Sequence, residues 1–268
     1  MDIISVIILG LVQGLTEFLP ISSSGHLVLA ADLLHFKEEG VAFEVFVHLG
    51  TLFSVLLAFR SDILKMIIAP YQVWIKGNRE EELVRHSRWD IYVIIGTIPA
   101  AVIGLLFKTE IEAFFSNVLL VIIMLLITGT FMILSRFLKE SEGDVSYLKS
   151  FIIGCAQALA ILPGISRSGS TIVSGMALGV DRTEAARFSF ILSIPAILGA
   201  SVIKIRDLLE TQLLASELMY LLLGALVAFG SGYLAIIWLL DIVRKGKLEW
   251  FGYYCYFVVL IMSIWYFN

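Results

Sequence analysis

The chain reads GLVQGLTEFLPISSSGH from Gly10 to His26, an apolar stretch with a polar break in its middle. A second stretch, PGISRSGST from Pro163 to Thr171, interrupts another apolar region in the same way. Proline lacks an amide donor, glycine tolerates unusual backbone angles, and serine hydroxyls satisfy nearby backbone groups, so a helix is expected to stop at each break. We therefore predict two helical hairpins, over 1–35 and 150–181.

The composition predicts an integral membrane protein. Of the 268 residues, 59% are hydrophobic, against roughly 45–50% in soluble domains, and 16% are charged, against roughly 25%. A soluble fold of this size could not bury so many apolar side chains. The net charge of −4 argues against a basic nucleic-acid-binding protein, so no nucleic-acid partner is expected. The two cysteines, Cys155 and Cys255, lack the spacing of a disulfide framework or zinc site.

Several apolar runs are long enough to cross a hydrocarbon core of roughly 30 Å, which takes about 20 residues. The six predicted spans lie near 41–60, 90–107, 117–135, 187–204, 218–240 and 250–267. Basic residues concentrate in the links at 60–88, 136–149 and 241–249, and the positive-inside rule places these links in the cytoplasm. With this orientation both hairpins are re-entrant, the first starting and ending outside and the second inside.

A shift of 144 residues aligns the two hairpins without a gap, with identical residues at seven of the sixteen positions from Gly10 to Gly25. The chain, 1–268, is thus predicted to be one all-α polytopic membrane domain with repeats over 1–143 and 144–268. Each repeat is a hairpin followed by three spans. Because three is odd, the second repeat enters the membrane upside down. Such inverted repeats bring broken helices together near mid-depth and bind substrate there.

The two breaks carry polar side chains suited to an anion. Arginine offers a planar fork of donors that matches phosphate or carboxylate, and helices restarting after each break point free amides at the same place. Glu17 is a candidate base or metal ligand, and His26 a candidate proton carrier. The predicted cluster consists of Gln13, Glu17, Ser22, Ser23, Ser24 and His26 from the first break, and Ser166, Arg167, Ser168, Ser170 and Thr171 from the second.

Each of these residues also has a simpler structural interpretation. Glu17 and Arg167 could form an ion pair that only joins the hairpins, and the serines could only satisfy backbone groups and allow close packing. His26 taken alone could be an ordinary hydrogen-bonded interior histidine. His48, which lies within a span near Glu44, is interpreted as a packing or supporting residue outside the core site.

The two motifs resemble the signatures of the undecaprenyl-diphosphate phosphatases of the bacitracin-resistance type. The resemblance covers nearly the whole chain and includes FEVFVHLG at 43–50 and RFSFILSIP at 187–195. It implies an enzyme of the bacterial plasma membrane that converts undecaprenyl diphosphate to undecaprenyl phosphate and inorganic phosphate, with its site open to the outer side. This reaction recycles the carrier lipid for peptidoglycan synthesis and confers bacitracin resistance. The resemblance also implies a divalent cation, Mg²⁺ or Ca²⁺.

The resemblance implies roles for individual residues. The catalytic set would be Glu17, Ser23, His26 and Arg167, with Glu17 also binding the metal. The substrate-binding set, which combines the family motifs with the neighbouring hydroxyls, would be Gln13, Ser22, Ser24, Ser166, Ser168 and Thr171. Many relatives carry a glutamate where this chain has Gln13, so Glu17 is expected to hold the cation together with substrate oxygens and water. The nucleophile, Ser23 or water, is left open, as is assembly into a homodimer.

Two other classes of function fit parts of the pattern. Inverted repeats with broken helices are also the architecture of carriers, so the alternative is a transporter or flippase for an anionic isoprenoid lipid. A carrier would tolerate loss of the nucleophile and base but would still need Arg167. The third class is a non-catalytic scaffold, in which Glu17 and Arg167 only pack and are replaceable together by apolar residues.

Overall fold

The computed structural model describes residues 2–34, 42–115, 117–209 and 215–267. Within these ranges all the regular structure is helical, so the predicted all-α fold is confirmed. The helices are α1 (Ile3–Phe18), α2 (Ser23–Leu33), α3 (Ala42–Ala58), α4 (Arg60–Pro70), α5 (Glu81–Leu106), α6 (Lys108–Phe115), α7 (Val118–Leu134), α8 (Tyr147–Leu159), α9 (Arg167–Ala177), α10 (Arg182–Leu209), α11 (Ala215–Arg244) and α12 (Glu249–Phe267). A π-helical segment, Tyr71–Ile75, continues α4, and a 3₁₀ turn, Ser135–Phe137, continues α7.

Five helices in the described part of the chain, α5, α7, α10, α11 and α12, are long and apolar enough to cross a membrane. They correspond to the last five predicted spans, and the protein is therefore a multi-pass membrane protein. The first predicted span, near 41–60, corresponds to α3, which has only 17 residues. It qualifies only when joined to α4 and Tyr71–Ile75, which bend away from it by 76°.

The link predicted at 60–88 is mostly helical, because α4 begins at Arg60 and α5 already begins at Glu81. The charges of this region form ion pairs between helices: Lys65 Nζ lies 2.5 Å from Glu82 Oε1. The prediction treated charged residues as marks of a loop. Here several of them lie on helices and pair with acids of neighbouring helices, as Lys65 and Arg85 do.

The helices stop at the two polar breaks, as predicted. The first break separates α1, ending at Phe18, from α2, and the second separates α8, ending at Leu159, from α9. Within each hairpin the two helices pack against each other. With 16 and 13 residues, α1 and α8 are shorter than the roughly 20 residues that a crossing needs. The hairpins are therefore present, while their orientation in the membrane stays a prediction.

Each hairpin packs against a long helix from the other half of the chain: α1 contacts α11, and α8 contacts α5. Equivalent glycines allow both contacts. A Cβ atom on Gly10 would lie 2.8 Å from the carbonyl oxygen of Gly224, and one on Gly154 would overlap the carbonyl oxygen of Gly96. The same close approach thus occurs at positions related by the 144-residue shift. The inverted orientation of the two repeats, and their bounds, stay predictions.

Helix α10 lies at the centre of the larger core and fixes both hairpins. Its side chains Phe188 and Phe190 are fully buried. The ring of Phe18, at the end of α1, packs edge-on against Phe190 with centroids 5.8 Å apart. From the second hairpin, the hydroxyl of Thr171 is hydrogen-bonded to that of Ser189 at 2.6 Å. The ends of both breaks are therefore positioned by one helix.

Candidate active site

Glu17 lies in the last turn of α1 and is buried. Its Oε1 accepts a hydrogen bond from Arg167 Nη2 at 2.8 Å, across the two hairpins. Its Oε2 accepts from Ser23 Oγ at 2.6 Å and from Gln13 Nε2 at 3.0 Å. One carboxylate thus accepts hydrogen bonds from three donors, which lie on α9, α2 and α1. Hydrogen bonds to an ionised carboxylate are stronger than those between neutral groups. The structure brings these four predicted residues together.

The guanidinium of Arg167 has one nitrogen without a hydrogen-bond partner. The residue begins α9 and its side chain reaches from the second hairpin to the first. While Nη2 binds Glu17, the buried Nη1 has no hydrogen-bond partner. A buried donor without a partner costs free energy, on the order of 1–3 kcal/mol. Nη1 is therefore a donor available for an anionic oxygen beside Glu17.

Gln13 provides the complementary acceptor. Its side chain is fully buried one helical turn before Glu17, and its Nε2 donates to that carboxylate. This bond leaves the carbonyl oxygen Oε1 buried without a partner. The candidate site therefore has an unpaired donor on one side of Glu17 and an unpaired oxygen acceptor on the other.

The two hairpins differ in chemistry at equivalent positions. In the first, Glu17 is hydrogen-bonded to Ser23 across the break. The positions equivalent to Glu17 and Ser23 are Ile161 and Arg167. The second copy thus has no acid and contributes a cation to the acid of the first.

His26 makes its hydrogen bonds to groups other than Glu17. Its Nδ1 lies 2.8 Å from the carbonyl oxygen of Ser22, which can only accept, so Nδ1 carries a hydrogen. Its Nε2 lies 3.0 Å from the hydroxyl of Tyr254, and the two rings are stacked with centroids 5.6 Å apart. In the neutral ring Nε2 accepts from that hydroxyl, so its lone pair is occupied. A role for His26 in proton transfer stays a prediction.

The remaining predicted residues secure the breaks themselves. Ser166 Oγ accepts from the amide of Gly169 at 3.1 Å and caps α9. Ser168 Oγ donates to the carbonyl oxygen of Leu19 at 3.2 Å and so joins the two breaks. A hydroxyl pair recurs in both copies, Ser22 with Ser24 at 3.3 Å and Ser166 with Ser168 at 3.2 Å. Substrate binding by these serines and by Thr171 stays a prediction.

His48 is closer to the site than the sequence indicated. Its Nε2 lies 3.9 Å from Glu17 Oε2, and its Nδ1 is hydrogen-bonded to the carbonyl oxygen of Glu44 at 2.7 Å. The Glu44 carboxylate pairs with Lys204 Nζ at 2.6 Å. The sequence did show Glu44 and His48 one helical turn apart, which indicates that the two residues share a helix face. Nothing in the sequence indicated that α3 packs beside the first hairpin.

The donor set around Glu17 is compatible with one kind of cation site. In the described ranges, no three histidine, cysteine or acidic side chains come together as a metal cluster. Magnesium, however, is commonly held by one or two carboxylates together with substrate phosphates and water. The carboxylate of Glu17 and the unpaired Oε1 of Gln13 offer oxygen ligands side by side. These residues therefore fit a divalent cation that is shared with a phosphate ligand.

Comparison with known proteins identifies the family. The model of the bacitracin resistance protein BacA family matches residues 6–261. The chain belongs to this family. Relatives from Methanobrevibacter smithii, Halothermothrix orenii and Christiangramia forsetii, each named undecaprenyl-diphosphatase, are 45%, 42% and 42% identical to it. The matches cover 98% of this chain in each case and 97%, 98% and 98% of the relatives. The resemblance found in the two motifs is thus confirmed.

Proposed function

We propose that this chain is an undecaprenyl-diphosphatase, which hydrolyses undecaprenyl diphosphate to undecaprenyl phosphate and inorganic phosphate. The observation that carries the proposal is the Glu17 carboxylate, held between the Ser23 hydroxyl and an Arg167 guanidinium with one free donor. A hydroxyl bonded to a base is the arrangement of an activated nucleophile, and an arginine fork matches phosphate oxygens. The names of the relatives supply the lipid, and the reaction returns the carrier used in peptidoglycan synthesis.

The geometry supports Ser23 as the nucleophile. Its Oγ attacks the terminal phosphorus and passes its proton to Glu17 Oε2, to which it is already hydrogen-bonded. The bond from phosphorus to the bridging oxygen breaks, and Glu17 returns the proton to the departing lipid phosphate. Water then attacks the phosphoserine, Glu17 accepts the water proton, and Ser23 regains it as inorganic phosphate leaves. Arg167 Nη1 stabilises the charge on the phosphoryl oxygens.

The proposal includes a divalent cation, Mg²⁺ or Ca²⁺, held by Glu17 and by the Oε1 of Gln13. When bound, it neutralises negative charge on the diphosphate oxygens. Gln13 also holds the Glu17 carboxylate through Nε2, so the same side chain keeps the base oriented. Removal of the cation by a chelator is expected to stop phosphate release while leaving the fold intact.

We further propose that the protein lies in the plasma membrane and releases phosphate on the outer side. The support is the distribution of basic residues in the links at 60–88, 136–149 and 241–249. Single cysteines placed at Lys76 and at Lys108 test this orientation with a membrane-impermeant thiol reagent. We expect labelling in intact cells only at position 108, and labelling only at position 76 would reverse the assignment.

Phosphate release by the purified protein tests the reaction. We expect metal-dependent release from undecaprenyl diphosphate, at least a roughly thousandfold loss in Ser23→Ala, and less than about a tenfold loss in the control Ser5→Ala, whose hydroxyl is bonded to Asp2 at the start of α1. Acid quenching with substrate labelled in the terminal phosphate should trap the label on Ser23. Release that survives in Ser23→Ala would favour water as the nucleophile. Lipid binding without any release would favour a carrier.

A further inference from the structure

A surface pocket of about 430 Å³ opens at the polar end of the α5 span. Its walls come from Tyr71–Ile75 and the residues that follow it, from the first turns of α5, and from the first residue of α8. The side chains that matter are Trp74, Arg79, Val84, Arg88, Ile91 and Tyr147. None of them belongs to the candidate active site, so this pocket needs its own explanation.

The lining of the pocket contains positive charge and no acid. Two of its lining side chains, Arg79 and Arg88, are exposed guanidinium groups, and none is a carboxylate. Among the described residues, no acidic side chain lies within ion-pair distance of either arginine. Among the other described arginines, Arg85 pairs with Glu184, Arg182 with Glu140 and Arg187 with Asp62, whereas Arg60, Arg136 and Arg244 form no ion pair and do not line this pocket. The two pocket arginines therefore remain free to bind an anion.

A second pocket, of about 550 Å³, provides an internal comparison. It also contains two arginines, Arg182 and Arg244, but Glu140, Glu142 and Asp181 line it as well. Carboxylates repel an incoming phosphate and compete for the guanidinium groups. Cationic side chains alone therefore do not distinguish the first pocket, whereas the absence of acids from its lining does.

The aromatic and apolar lining places the first pocket at a lipid boundary. Trp74 and Tyr147 are 59% and 52% exposed, and both residue types are enriched at membrane–water interfaces. Val84 and Ile91 lie two turns apart on one face of α5 and continue the wall toward the apolar part of the span. The pocket thus combines a cationic rim with an apolar wall that runs into the membrane.

We propose that this pocket binds an anionic phospholipid, with Arg79 and Arg88 on its phosphate and its acyl chains along Val84 and Ile91. Arginine clusters beside a span bind such headgroups, and the leaflet facing the cytoplasm is rich in them. The region 60–88 is predicted to face that leaflet. The site is separate from the hydrolytic chemistry and stands whether or not the chain is a phosphatase.

Native mass spectrometry of the full-length protein tests the site. The protein is purified in detergent and given equal amounts of phosphatidylglycerol and phosphatidylcholine with the same acyl chains. The wild type is expected to retain phosphatidylglycerol preferentially. In the double variant Arg79→Gln with Arg88→Gln, the preference should fall about twenty-fivefold, fivefold for each arginine. The matched control, Arg136→Gln with Arg244→Gln, removes the same charge from the other links predicted to be cytoplasmic and should keep the preference.

Several results would overturn the proposal. The proposal fails if the wild type shows no preference for phosphatidylglycerol, or if the preference survives in the Arg79 and Arg88 variant. An equal loss in the control would indicate general charge attraction. Displacement of the lipid by an equal concentration of inorganic phosphate would identify a free-phosphate site instead. If the double variant does not fold, the single variants Arg79→Gln and Arg88→Gln are each expected to lose about fivefold.

Discussion

Glu17 and Arg167 are 150 residues apart in the chain, yet Arg167 Nη2 lies 2.8 Å from Glu17 Oε1. The pair joins the end of α1 to the start of α9 and therefore fixes the two hairpins to each other. Both side chains are largely buried, at 7% and 15% exposure. Removing one partner of a buried ion pair leaves the other charge uncompensated and destabilises the protein strongly. Replacing both partners by apolar residues costs much less stability.

The first prediction follows from this asymmetry. Either Glu17→Ala or Arg167→Ala is expected to lower the free energy of unfolding by about 3–5 kcal/mol. The double variant Glu17→Leu with Arg167→Met should recover most of that stability but none of the phosphate release. Denaturant unfolding in detergent, together with a phosphate assay, measures both. As a control, Lys65→Ala breaks the exposed pair with Glu82 and should cost less than about 1 kcal/mol.

A recovery of activity in that double variant would assign the pair to packing alone. Wild-type stability of both Glu17→Ala and Arg167→Ala would show that the bridge is absent in the folded protein.

A second prediction concerns the cation. Gln13→Glu removes the Nε2 donor and puts a second carboxylate beside Glu17. Without a divalent cation the variant should be less stable than the wild type, because like charges repel at this distance. The Mg²⁺ concentration needed for half-maximal phosphate release should fall roughly tenfold, because a second charged ligand raises the affinity of the site for the cation. An unchanged concentration would show that the residue 13 side chain does not contact the cation.

A third prediction compares the two equivalent glutamines. Both polar atoms of the Gln157 side chain are buried without a partner, whereas Gln13 is bonded to Glu17. Gln157→Leu should therefore raise the free energy of unfolding by about 1–2 kcal/mol and preserve phosphate release. Gln13→Leu, the matched change in the first hairpin, should abolish release. Loss of release in Gln157→Leu would instead indicate that the second hairpin binds substrate through this residue.

A fourth prediction tests the packing of the first hairpin on α11. A Cβ atom on Gly14 would overlap Ser231 Oγ and lie 2.9 Å from the amide nitrogen of Gly232, so Gly14→Ala should destabilise the protein by about 1–3 kcal/mol. Gly230 lies on α11, and a Cβ atom there would have no atom within 4 Å. Gly230→Ala should therefore raise the free energy of unfolding by about 0.5–1 kcal/mol. Thermal unfolding of the two variants should therefore shift in opposite directions. Equal shifts would contradict the contact between α1 and α11.

The helical hairpins and most spans could be predicted because their signals are local. Proline, glycine and serine in one short segment end a helix wherever it lies, and an apolar run predicts a span without knowledge of its neighbours. The proximity of Glu17 and Arg167 was also predictable, but through the repeat, because the 144-residue shift relates the two breaks to each other.

Other features depend on packing that no local pattern encodes. His26 and Tyr254 are separated by 228 residues, and nothing near either residue indicates that they meet. His48 lies near Glu17 only because α3 packs beside α1. The helical character of α4 was missed for a different reason, since its charged side chains, such as Lys65, pair with acids on another helix.

The divergence of the two hairpins has a consequence for the number of sites. Glu17 pairs with Arg167, which stands at the position equivalent to Ser23, so the matching contact of the other two positions would join Ser23 to Ile161. That second contact contains neither an acid nor a guanidinium. A dimer of identical subunits repeats each contact twice, because residue i meets residue j and j meets i. Two copies joined in one chain can differ, and this chain carries a single charged pair at these positions.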